Sequence, residues 1–192
     1  MTALLAAALM LLGSPPVHPQ REWRLGGGFT AVAFTRDEFA GGFVATRTLE
    51  IRRSGKALVR FSSRDEGLGV QAADVTGDGV RDLLVLNYQD GSAACGGYRL
   101  YGGPDFHELW VRHECADTGV VRILHGDLIA WTAVLSSKTA ASGTYPHCCW
   151  RSWRQTTWQW QDGRLRATSN KPAHQPLPSY QDRLLPGTLS IR

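Results

Sequence analysis

Residues 74 to 82 read Asp-Val-Thr-Gly-Asp-Gly-Val-Arg-Asp, with a carboxylate at the first, fifth and ninth positions and glycine at the fourth and sixth. Such a segment cannot continue a helix or a strand. Gly77 and Gly79 supply the backbone freedom for a tight curl, and side chains at odd positions then converge on its inside. The run that follows, Leu83-Leu84-Val85-Leu86, is apolar at consecutive positions, the pattern of a strand covered on both faces. A loop held between two strands is the only local structure that accommodates both features.

The remainder of the 192 residues repeats that rhythm. Strands are predicted near 44–52, 57–62, 68–73, 82–87, 98–102, 107–112, 119–124, 127–136, 150–160 and 164–168. Between them fall Ser54-Gly55, Asp65-Glu66-Gly67, Asp90-Gly91, Gly102-Gly103, Gly126-Asp127 and Asp162-Gly163, all turn signals. Long helical periodicity is missing. The predicted class is all-β, a single-domain antiparallel meander forming a sandwich or half-open barrel. Residues 82–87, 127–136 and 150–160 are expected as central strands of one sheet system, the last two paired across the long connection 137–149. Gly26-Gly27-Gly28 reads as a flexible entry to the domain.

A hard cation such as Ca²⁺ takes six to eight oxygen ligands. Asp74, Thr76 and Asp78 can present oxygens to one point, the Val80 carbonyl can add another, and Asp82 can close the shell. The plainer alternative is an Asp-Gly turn with acidic decoration and no ion. Residues 67–86 as a whole closely resemble an FG-GAP or VCBS-type repeat, in which a small-apolar lead strand precedes an Asp-rich, glycine-punctuated loop and an apolar strand. The resemblance implies calcium ligation by Asp74, Asp78, Asp82 and the Val80 carbonyl. It also implies kinship with the blades of integrin-type propellers. Thr76 stands where that family usually has Asn or Asp, and a neutral hydroxyl weakens binding. Only one copy occurs, and a propeller needs several four-stranded blades, so a full propeller is not expected. The Cys148-Cys149 step and Trp158-Gln-Trp160-Gln-Asp-Gly163 also look like small exported bacterial proteins that carry one such motif.

The organisation expected is a signal peptide over 1–20, a β domain over 21–170 and a Pro-rich C-terminal tail over 171–192. Residues 3–12 form an apolar run of ten, too short to span a bilayer and suited to a signal-peptide core. The first charge is Arg21, so the basic flank typical of such signals is missing, as is a clean Ala-x-Ala site. Export to the periplasm, cell envelope or medium agrees with four cysteines, Cys95, Cys115, Cys148 and Cys149, an even set with three possible disulfide pairings. A bridge between the adjacent Cys148 and Cys149 ranks lowest for its strained geometry; the other two pairings each join that step to Cys95 and Cys115. His113-Glu-Cys115 and His147-Cys148 lack the compact spacing of a zinc site.

The net charge of +4 is concentrated in residues 150–192, without the density of a nucleic-acid arm, and nucleic acid is not an expected partner. No transmembrane span is expected in the mature chain. No Gly-x-Ser-x-Gly elbow, phosphate loop or His-Glu-x-x-His occurs, and Ser136, Ser137, His125 and Asp127 form no recognisable triad, so no catalytic residue is assigned. Trp158 and Trp160 with Arg151 and Arg154 form a candidate ligand face for sugar rings, against the plainer reading that such bulk fills a β core. Three functions remain from the sequence: a non-enzymatic calcium-binding module of the envelope, an accessory that binds glycan or protein through the Trp/Arg face, and a hydrolase whose site is hidden.

Overall fold

The computed structural model describes residues 19–39, 43–64, 66–89, 95–115, 119–134 and 152–174. Among them are twelve strands and no helix: β1 (Pro19–Gly26), β2 (Phe29–Phe39), β3 (Phe43–Arg53), β4 (Lys56–Arg64), β5 (Glu66–Ala73), β6 (Asp82–Gln89), β7 (Cys95–Gly102), β8 (His107–Cys115), β9 (Gly119–Leu124), β10 (Asp127–Val134), β11 (Ser152–Gln161) and β12 (Arg164–Ala173). They form three antiparallel sheets of four, each a simple meander in chain order: β1 to β4, β5 to β8 and β9 to β12. The all-β antiparallel class is as expected. The single sheet system is not: β6 belongs to the second sheet, while β10 and β11 pair with each other in the third.

The sheets stack because of how apolar residues alternate. Along β6, Leu83 and Val85 face the first sheet and join a cluster with Leu25, Ala31, Leu49 and Ile51. Leu84 and Leu86 face the other way and pack on Val121, Ile123, Leu128 and Ala130 of the third sheet. The second sheet is therefore the middle layer. Its consecutive apolar run is the direct sequence record of that position.

Two-residue turns set the registers. Ser54-Gly55, His125-Gly126 and Asp162-Gly163 all have both φ angles positive, from 50° to 85°. That is the type I′ geometry that matches strand twist. Gly27-Gly28 does the same between β1 and β2. Those glycines are a hairpin turn, not a flexible entry, and the strands on either side of it, β1 and β2, lie outside the strands expected from sequence. At the other end of the chain, β12 continues past 170 to pair Lys171, Pro172 and Ala173 with Gln155, Arg154 and Trp153.

Gln71 makes a two-way link from the second sheet to the third. Gln71 on β5 donates through Nε2 to the Ile123 carbonyl at 2.7 Å and accepts the Ile123 amide on Oε1 at 3.0 Å. Its amide group thus imitates a neighbouring strand along the edge strand β9.

Candidate functional site

The connection between the first two strands is a two-residue turn in the first and third sheets. In the middle sheet the same connection is expanded into the loop from Asp74 to Arg81. Gly77 and Gly79 both adopt positive φ, 76° and 84°, as the curl requires. The carboxylates fold back on the loop's own backbone. Asp74 accepts the Gly77 amide on Oδ1 at 2.7 Å and the Gly79 amide on Oδ2 at 3.0 Å, and Asp78 Oδ1 accepts the Val80 amide at 2.8 Å.

Asp82 behaves differently. It is fully buried and accepts four hydrogen bonds. The amides of Val75 and Thr76 donate to Oδ2 at 2.7 and 2.9 Å, the Thr76 hydroxyl to Oδ1 at 3.3 Å, and the Gly103 amide to Oδ1 at 3.1 Å. Burial pushes its carboxyl above the ordinary aspartate range. The amides of Thr76, Val75 and Gly103 pull the other way without cancelling that push, and the nearby Asp78 charge adds to it.

The loop touches turns from all three sheets. The Arg81 amide donates to the Leu25 carbonyl at 2.6 Å. A Cβ on Gly26 would stand 2.7 Å from the Gly79 carbonyl oxygen, and one on Gly103 would stand 2.5 Å from Val80 Cγ1. Val80 itself packs against the cluster between the first and second sheets. On the far side, a Cβ on Gly126 would lie 3.5 Å from the Asp74 carbonyl oxygen. The motif is therefore the hub at which the ends of the three sheets meet, a role its sequence did not announce.

Every potential ligand here is oxygen, which suits a hard cation. A carboxylate offers about four lone-pair sites, and Asp82 spends all of them on internal donors. In this arrangement it anchors the loop, its oxygens turned to backbone amides and the Thr76 hydroxyl. The exposed donors are Asp74 and Asp78, with Thr76 and the Val80 carbonyl beside them. Among the described residues no three acidic, His or Cys side chains are grouped to hold a metal. A cation at this loop has the two exposed carboxylates, the hydroxyl and the carbonyl as protein ligands and water for the rest.

Of the Trp/Arg residues, Trp158 is engaged between the second and third sheets. Trp158 packs edge-on against Trp110 of the second sheet, ring centroids 5.5 Å apart, and the Arg112 guanidinium lies 5.9 Å from the Trp158 ring centroid. Arg112 also donates to the Thr132 hydroxyl at 2.7 Å. Trp153 is buried on the opposite face of β11, Trp160 is half-buried, and Arg154 donates to Asn170 Oδ1 at 3.0 Å. Arg151 lies outside the described residues, as do Cys148, Cys149, His147, Ser136 and Ser137. Backbone register sets Cys95 directly opposite Cys115 on β7 and β8, the juxtaposition that belongs to the pairing ranked lowest from sequence. His125 sits in a two-residue turn, and Asp127 accepts from Gln159 Nε2 at 3.3 Å.

Comparison of this chain with protein-family models, with curated proteins and with solved structures returns no match. Among the described residues no helix is long and apolar enough to cross a membrane.

Proposed function

We propose that this chain is an exported, non-enzymatic β module of the cell envelope, structural or ligand-binding in role, whose hub loop is stiffened by calcium. The observation that carries the reading is the placement of an all-oxygen loop where three sheets converge. An ion bound there through Asp74, Thr76, Asp78 and the Val80 carbonyl would supply charge neutralisation between two exposed carboxylates. Asp82 would act from below, holding the Val75 and Thr76 amides so that the loop keeps its curl without the ion. With only two exposed carboxylates, affinity is expected in the range of about 10⁻⁴–10⁻³ M, typical of extracellular modules.

Thermal melting in calcium and in chelator tests this. A ligand bound only by the native state adds about 2.7 kcal/mol at a hundredfold excess over its dissociation constant. The wild-type protein is expected to melt higher in calcium, and Asp78→Ala to melt at one temperature in both. Identical wild-type curves would remove calcium from the proposal.

A further inference from the structure

Between the first and second sheets, away from the hub loop, lies a cleft of about 170 Å³ lined by Phe61, Ser62, Val85, Asn87, Gly97, Arg99 and Tyr101. A single water occupies about 30 Å³ of liquid, so the space exceeds one water, while it falls short of the several hundred Å³ usual for drug-sized ligands. It suits one small ring.

Its walls are chemically specific. Phe61 and Tyr101 are packed together, ring centroids 4.3 Å apart, and form one aromatic side. Gly97 contributes no side chain, and a Cβ there would meet only the His113 imidazole, at 3.2 Å. Arg99 is paired with Glu108 at 2.9 Å, so the one cation at the cleft is already neutralised. That disfavours an anionic ligand. The remaining wall is Asn87, whose side-chain Oδ1 is shut off from solvent and accepts no hydrogen bond among the described residues. An unmatched buried acceptor costs stability, and an amide turns readily about its last torsion. Turned about that torsion, the Asn87 amide presents its oxygen to a donor in the cleft.

We propose that this cleft binds a single neutral hydroxylated ring of monosaccharide size, its C–H face against Phe61 and Tyr101 and a hydroxyl donating to Asn87. Aromatic faces take the apolar side of such rings, and the hydroxyl-to-amide bond relieves the unmatched acceptor. Tyr101 is pushed upward by burial, the Glu108 charge adding to this against the pull of Arg99, and so stays protonated as a neutral donor at ordinary pH. The inference is independent of calcium at the hub.

The test is saturation-transfer NMR and calorimetry on the full chain with methyl glycosides of glucose, galactose, mannose and N-acetylglucosamine, with glucuronic acid as the anionic comparison. At least one neutral ring is expected to bind with a dissociation constant of about 1 mM, in calcium and in chelator alike. Asn87→Leu removes the acceptor and Gly97→Val fills the space with a small side chain. Each is expected to weaken binding by about tenfold or more in protein that still unfolds cooperatively. Gly97→Val keeps the proposal testable if Asn87→Leu does not fold. Absence of saturation by every neutral ring overturns the proposal and leaves ordered water as the occupant. So does equal binding by both variants, or a preference for glucuronic acid.

Discussion

The Gly103 amide, in the turn between β7 and β8, donates to Oδ1 of Asp82 at 3.1 Å across 21 positions of sequence. Through this bond the carboxylate that ends the hub loop also fixes the far turn of its own sheet. Asp82→Asn exchanges one acceptor oxygen for an NH₂ that faces backbone amides. Leaving two or more buried donors unmatched is expected to cost about 3 kcal/mol or more. Urea denaturation measures this, and the loss should be the same in calcium and in chelator. A cost that disappears in chelator would mean that Asp82 acts as a metal ligand after all.

Acid should separate two carboxylates of opposite character. Burial pulls Glu50 upward, but the Arg52 and Arg60 guanidiniums, through hydrogen bonds and charge, outweigh it and hold the group below its ordinary value of 4.5. Its contribution is thus present above that value and lost as pH falls through the depressed folded value. Asp82, raised above 3.8, contributes most at low pH and loses ground as pH rises through its folded value. Glu50→Gln is expected to cost about 1 kcal/mol near neutrality, since Arg60 is largely solvated and screening weakens the pair. The deficit should shrink on acidification, with the residual slope following Asp82. Urea midpoints between about pH 3 and pH 7 decide the point; a deficit constant across that range would contradict it.

A methyl group at Gly103 would stand 2.5 Å from Val80 Cγ1, closer than two carbons can approach. Gly103→Ala is expected to destabilise by about 1–3 kcal/mol through overpacking. Val80→Ala in the same chain should recover part of the loss, because it removes the opposing methyls. Chemical denaturation of the single and double variants gives the coupling, and strictly additive costs would show that the two residues do not meet.

Backbone register places Cys95 opposite Cys115 on neighbouring strands, near enough in the ladder for a bridge to be tested. Peptide mapping of the air-oxidised protein is expected to recover these two in one linked peptide. Fragments that join either residue to Cys148 or Cys149 instead would restore one of the two pairings ranked higher from sequence.

The fold was legible wherever a strand carried its own punctuation. Ser54-Gly55 and Asp162-Gly163 mark type I′ turns because only such residue pairs tolerate two positive φ angles, and the strands around them were bounded closely. The unbroken Leu83–Leu86 run declared a strand buried on both faces, although not that three sheets were involved. Assignment of strands to sheets depends on long-range packing that local sequence does not encode. The hub loop was readable as a loop, but the role of Asp82 was not. Whether a carboxylate turns outward to an ion or inward to amides depends on Gly103, 21 residues away. Gln71, Asn87 and the Phe61–Tyr101 pair carried no signal at all, since each is meaningful only through a partner on another strand.

Gln71 has a consequence for how copies of this chain can associate. The amide and carbonyl of Ile123 face outward from the edge of the third sheet, where a strand from a second molecule could add by ordinary ladder bonding. Gln71 occupies both groups at once. Intermolecular growth at that edge must first displace an intramolecular partner with the same geometry, so the molecule guards against polymerisation there with one neutral side chain and no charge.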